Sequence, residues 1–148
     1  MSKKILIING PNLNLLGDRE PEVYGNETLD DIKNLCEKKG KDLSLDIDFT
    51  QSNDEGEIVE SIQNAKKKFS GIIINAGALT HTSISILDAL LSTKLPIIEV
   101  HLSNIFTREA FRKESFVSKA AKGIICGFGS KSYDLALEAI STLLKEKN

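Results

Sequence analysis

A chain of 148 residues, 41% apolar and 27% charged, is long enough for one globular unit with a real core, and we read 1–148 as a single domain. Its formal net charge of −2 gives no global field for nucleic acid or an anionic membrane surface, and no stretch approaches the roughly 18 apolar residues of a membrane span. The apolar run at 5–8 is shorter than the roughly 7–15 residues of a signal h-region, so a cytoplasmic protein is expected, with Cys36 and Cys126 as small buried apolar residues in a reducing compartment.

In chain order, residues 4–9 read as a buried strand, a short branched apolar run with a polar end. A loop follows that is much longer than the usual 2–6 or so residues, punctuated by Gly10, Gly17, Gly25, Pro11 and Pro21. It has the makings of a lid over 17–25, carrying Asn12, Arg19 and Tyr24. Residues 28–39 look helical, with Leu29, Ile32, Leu35 and Cys36 at helical spacing and Gly40 as the stop. Residues 43–50 alternate apolar and polar, which predicts a strand with one wetter face, typical of a sheet edge. Ser52 or Asn53 is expected to cap the next helix, whose stripe is Ile58, Ile62, Ala65 and Phe69 and whose solvated last turn is Lys66 to Lys68. Further strands are predicted at 71–75, 97–101 and 123–126, and helices at 83–92, 108–114 and 130–145. Strands alternating with helices in this way imply right-handed crossovers and an α/β, flavodoxin-like three-layer sandwich, a five-stranded parallel sheet of order 2-1-3-4-5.

In such a sheet ligands bind beyond the carboxyl ends of the strands, and the rare polar residues follow those ends. The only histidines, His81 and His101, and the only arginines, Arg19, Arg108 and Arg112, all lie there or on the lid. An arginine in a chain that otherwise uses lysine suggests a need for a planar donor fork. Glu99 and His101, two apart on a strand, share a face; a carboxylate beside an imidazole orients it and favours its charged form, as a general acid requires. A strand-end histidine making one structural bond is the competing reading. Arg19 near Tyr24 would stabilise a phenolate, since a phenol with an unperturbed pKa of about 10 is a poor base at neutral pH. Arg108 and Arg112, four apart on the predicted helix, repel unless an anion or a carboxylate joins them. No G-x-x-x-x-G-K-[ST] or G-x-G-x-x-G follows the first strand, and no Cys/His cluster suggests zinc. The Gly127–Ser130 turn before the last helix leaves open a non-catalytic module holding a phosphate or flavin, and a dead scaffold that only oligomerises is a third possibility.

With those residues in place, the chain resembles the type II 3-dehydroquinate dehydratases over nearly its whole length. The matching blocks are N-G-P-N-L-N-L-L-G-D-R-E-P-E-V-Y-G from Asn9, N-A-G-A-L-T-H-T-S-I from Asn75, E-V-H-L-S-N-I-F-T-R-E-A-F-R from Glu99 and G-I-I-C-G-F-G-S-K-S-Y from Gly123. Ala76, Leu79, Leu87, Phe106 and Ala110 depart from residues common in that family. The resemblance implies dehydration of 3-dehydroquinate in the shikimate pathway, with no metal, no cofactor, no nucleic acid and no membrane, by a homododecamer built as a tetramer of trimers. It implies Tyr24 as base, Arg19 as the group keeping it ionised, and Asn12 as holder of a water against the enolate oxygen. His101 is implied as acid, with Glu99 as its orienting partner and Arg108 near the tyrosine. Asn75, His81 and Arg112 are implied as substrate-hydroxyl contacts, Leu102 and Ser103 as the carboxylate-holding turn, and Asp88 as a residue completing a neighbouring subunit's site. A type I enzyme would need a Schiff-base lysine in a barrel, for which 148 residues are too few.

Overall fold

The computed structural model describes residues 3–146, and at Tyr24 the backbone only. Five strands, β1 (Lys3–Asn9), β2 (Leu45–Gln51), β3 (Gly71–Asn75), β4 (Ile97–His101) and β5 (Gly123–Cys126), pair in parallel in the order β2-β1-β3-β4-β5. The helices are α1 (Pro21–Tyr24), α2 (Leu29–Asp42), α3 (Glu55–Lys68), α4 (Ile84–Thr93) and α5 (Lys131–Glu146). Among the described residues no helix is long and apolar enough to cross a membrane.

Period-two side-chain alternation builds two cores. Ile5, Ile7, Ile73, Ile98 and Val100 face α2 and α5, where they meet Ile32, Cys36, Leu137 and Ile140. Leu6, Ile8, Ile72, Ile74 and Ile97 face α3 and α4, where they meet Ile58, Ile62, Ile86 and Leu90. Each fully buried isoleucine contributes roughly 1.5–3 kcal/mol, so the branched runs in β1 and β3 are the strongest local reason for these layers. At the edge, β2 alternates buried or half-buried Leu45, Ile47 and Phe49 with exposed Asp46 and Asp48, as expected of an edge strand.

Several boundaries differ from the sequence expectations, for reasons of packing or hydrogen bonding. α2 runs through Gly40 to Asp42, and Leu43 closes the helix rather than opening β2. Gly40 is there because helix and sheet approach closely: a Cβ would sit 2.6 Å from Ile47 Cγ1 and 2.9 Å from the Leu45 carbonyl. Thr28 and Asp31 start α2 with a reciprocal capping box, at 3.1 and 3.0 Å. α3 is capped by Asp54, not by Ser52 or Asn53; the Ser52 hydroxyl instead donates to Glu57 Oε1 at 2.6 Å. No helix spans 108–114: two tight 3-10 turns, Ile105–Thr107 and Ala110–Arg112, replace it, because so short a segment lacks the length to nucleate alone and follows its tertiary contacts. Cys36 is buried as expected, whereas Cys126, on the β5 edge, is only half-buried. Burial, with the Asp134 and Glu37 charges adding to it, pushes the Cys36 thiol up to about 12.

Candidate active site

Parallel strands deliver their polar last residues to one edge. Asn9 and Asn75 stand in register there, and the 3-10 turn Gly77–His81 carries His81 onto the same edge. β4 ends two residues beyond Glu99, at His101, which pairs with Cys126 of β5. The loop after β1 crosses above through the turn Leu13–Leu15 and α1. Gly10 lies where the exits of β1 and β3 touch: its N–H donates to the Asn75 carbonyl at 2.8 Å, and a Cβ would collide with the Ala76 carbonyl. Its role is close approach rather than a hinge. The result is a cavity of about 60 Å³.

The Glu99–His101 side of this cavity is built into the sheet. Glu99 is fully buried and every carboxylate oxygen is engaged: Oε2 meets His101 Nε2 at 2.5 Å and accepts from Ser115 Oγ at 2.8 Å, and Oε1 accepts from the Ser118 hydroxyl. Burial alone raises the Glu99 pKa, but the hydrogen bond and charge of His101 with the Ser118 and Ser115 hydroxyls outweigh it, so the carboxyl is held below its ordinary value. His101 is 5% exposed and lines the cavity. His81 stacks beside it, ring centroids 6.4 Å apart and 17° from parallel. A carbonyl only accepts, so His81 Nδ1, 2.7 Å from the Glu114 carbonyl, carries the proton and leaves Nε2 for the cavity side.

All three arginines line the same cavity. Arg19, on the loop, pairs with Glu20 at 3.2 Å. Arg108 and Arg112 do not share a helix face as expected, yet both reach the cavity from separate turns. The carboxylate that relieves their repulsion is Glu109, 3.6 Å from Arg108 and 3.1 Å from Arg112. The three guanidiniums gather all the arginine of a chain of net charge −2 at this one cleft.

The remaining expected residues fall into three groups. Asn12, Asn75, Leu102 and Ser103 line the cavity; Asn12 adopts a left-handed φ of 70° and its N–H donates to Asn53 Oδ1 at 3.0 Å. Asp88 does not reach it in this chain and lies exposed on α4. The Tyr24 side chain lies outside the described residues; its backbone ends α1 and leads into Gly25. The sequence reading missed Ser115 and Ser118, which anchor Glu99, and the polar role of Tyr133, the last residue of the fourth matching block. A signal was present for Tyr133: it is one of two tyrosines, and a phenol on an apolar helix face must find a polar partner. The Gly127–Ser130 turn offers little to an anion, since Phe128 N–H already donates to Ser132 Oγ and Gly129 N–H to the Leu102 carbonyl. Among the described residues no group of His, Cys, Asp and Glu could hold a metal ion.

Fold and cleft define an α/β protein of flavodoxin-like topology with a cleft of histidines and arginines, backed by a buried carboxylate, at the carboxyl edge of its sheet. A family model described as Dehydroquinase class II matches residues 3–141. A 3-dehydroquinate dehydratase of Prochlorococcus marinus subsp. pastoris is 60% identical over 144 residues, 97% of this chain and 99% of its own. Another, of Phenylobacterium zucineum, is 52% identical over 145 residues, 98% of this chain and 100% of its own. The crystal structure of type II dehydroquinase from Butyrivibrio crossotus matches with a TM-score of 0.92 at 43% identity, covering 94% of this chain and 97% of its own. That from Propionibacterium acnes matches with a TM-score of 0.92 at 44% identity, covering 96% and 98%. The chain belongs to the class II dehydroquinase family.

Proposed function

We propose that the cleft dehydrates 3-dehydroquinate to 3-dehydroshikimate by anti elimination through an enolate. The activity follows from the family: the chain is a 3-dehydroquinate dehydratase, a hydro-lyase of the shikimate pathway acting on a small molecule. Loss of water from a β-hydroxy ketone needs a base at carbon, a stabilised enolate and an acid at the departing oxygen. In our reading the Tyr24 phenolate, kept ionised by Arg19 with Arg108 nearby, takes the proton beside the ketone. Asn12 holds a water against the enolate oxygen. The enolate oxygen then re-forms the ketone, the pair of the enolate double bond shifts to make the new carbon–carbon double bond as the C–O bond breaks, and His101, held by Glu99, protonates the departing hydroxyl so that it leaves as water. Asn75, His81 and Arg112 meet substrate hydroxyls, and Leu102 and Ser103 hold the carboxylate. The single observation carrying this reading is the convergence of every arginine and both histidines of the chain on one cavity, with a buried carboxylate behind His101.

The test is direct. Purified protein is mixed with 3-dehydroquinate and the absorbance of the conjugated enone is followed, with EDTA present. Turnover supports the activity on which the reading stands; absence of turnover in folded protein refutes it.

We read residues 1–148 as one catalytic domain working in the cytoplasm and assembling as a homododecamer, a tetramer of trimers. Support for assembly comes from α4, whose outward face carries Ile84, 57% exposed, Asp88 and Leu91, 53% exposed, at i, i+4 and i+7. That face would bring Asp88 to a neighbour's site. Sedimentation at micromolar concentration checks it: a monomer removes the assembly and the role of Asp88 together.

A further inference from the structure

Behind the cavity lies a chain of buried polar groups of which the proposed chemistry uses Asn75 alone. Asn9 and Asn75, in register at the ends of β1 and β3, turn their side chains to the face packed by α5, where Tyr133 stands fully buried. Asn9 Nδ2 donates to the Thr50 carbonyl at 2.9 Å, the Tyr133 hydroxyl donates to Asn9 Oδ1 at 2.6 Å, and Asn75 Nδ2 donates to the Tyr133 oxygen at 3.0 Å. At the other end Gly77 N–H donates to Asn75 Oδ1 at 3.2 Å.

The direction of every bond in this chain is fixed. The Thr50 carbonyl can only accept, so Asn9 must offer it an N–H and keep Oδ1 for Tyr133. Tyr133 has one proton, spent on Asn9, so its oxygen can only accept from Asn75. Gly77 N–H can only donate, so it claims Asn75 Oδ1. Two backbone groups that cannot change sign thus close the chain at both ends. Asn75 has one further Nδ2 proton, with no acceptor among the described residues, and Asn75 lines the cavity.

We propose that Tyr133 is a positioning residue that, together with Gly77 N–H, holds the Asn75 amide in this sense, so that at this point the cavity presents an N–H donor and selects a ligand oxygen that accepts. Burial holds the Tyr133 phenol far above its ordinary pKa, so the chain keeps its direction at every working pH. The inference rests on the reading of Asn75 as a substrate contact and names what that contact demands.

The experiment is steady-state kinetics on the full chain for Asn75→Ala, Tyr133→Phe and the double variant. We expect Asn75→Ala to raise KM about tenfold, the factor for one hydrogen bond. Tyr133→Phe should raise KM to a similar degree while kcat changes less than about threefold, and the double variant should be no worse than Asn75→Ala alone, as groups acting through one another behave. Unchanged kinetics in Asn75→Ala refutes the substrate contact itself, and the inference with it. An impaired Asn75→Ala beside a normal Tyr133→Phe, or a double variant whose losses multiply, refutes the inference alone. Asn75→Asp serves if Tyr133→Phe does not fold: it replaces the donor with acceptors, so its KM should rise at least as far as that of Asn75→Ala. A normal KM in Asn75→Asp overturns the requirement for a donor.

Discussion

The two ends of the cleft are made differently. His101 sits at the end of a central strand, its partner Glu99 fully buried and bonded at both oxygens. Arg19 sits on a crossing loop, its side chain 38% exposed, beside Glu20 in a left-handed conformation at φ 43°. A strand-borne pair is held before any ligand arrives and depends on the integrity of the sheet. A loop-borne group depends on how the loop settles over the ligand, because loops have few buried contacts and open at little cost. Disturbing the first should alter proton chemistry and acid stability together, and disturbing the second should alter catalysis and leave the sheet intact.

The largest expected effect tests the loop. Tyr24→Phe should lower kcat by about 10²–10⁴, the usual contribution of a positioned base, with KM within a few-fold and the melting temperature unchanged. A near-normal kcat measured on the enone assay would mean that the loop supplies no base.

Glu99→Gln tests the strand and should lower kcat by about 10–100-fold, less than the roughly 10²–10⁴ of a whole acid. It should also change the acid limb of stability. The folded carboxyl is held below its ordinary value, so it stabilises the fold above the ordinary carboxylate range, and that contribution is lost as pH falls through the folded value. Melting temperatures between pH 3 and pH 6, in the roughly 3.5–4.5 region where carboxylates titrate, should fall more steeply for the parent than for Glu99→Gln. Parallel curves would mean that Glu99 carries no depressed pKa.

Arg19→Leu removes a cation without touching the sheet. The pH dependence imposed by Tyr24 ionisation should move to higher pH, and kcat at neutral pH should fall about tenfold for every whole pH step that the profile moves. An unchanged profile would separate Arg19 from the tyrosine. The smallest effect is that of Thr28→Ala, which opens the capping box where the loop runs into α2. Loss of about 1 kcal/mol should lower the melting temperature by roughly 2–4 °C, with the kcat pH profile unmoved. A pH profile that did move would couple the helix start to the strand pair and blur the distinction.

The frame was legible because it depends on local patterns. Branched apolar runs at regular intervals, broken by amphipathic helices, leave few topologies, and the alternation in 43–50 was enough to put that strand at an edge. Both histidines and all three arginines could be placed at one edge because the ends of parallel strands must coincide there. What escaped the sequence depends on contacts between distant segments. Gly40 looks like any helix stop until β2 is seen pressed against it. The segment 108–114 carries helix-forming residues, but Arg108 and Arg112 turn toward the cavity with Glu109 between them, and that outweighs a weak local preference. Ser115 and Ser118 are ordinary loop serines until the strand brings Glu99 beneath them. Tyr133 joins Asn9 and Asn75 across 124 and 58 positions, a meeting that no local pattern announces.

Cys36 gives the molecule a built-in clock. Its thiol is sealed between α2 and the sheet and stays protonated at any physiological pH. A thiol reacts as its anion, so an alkylating reagent finds no nucleophile there until the layer separates and water enters. The slow modification of this one sulfur therefore counts openings of the α2 layer, with half-buried Cys126 as the fast internal reference.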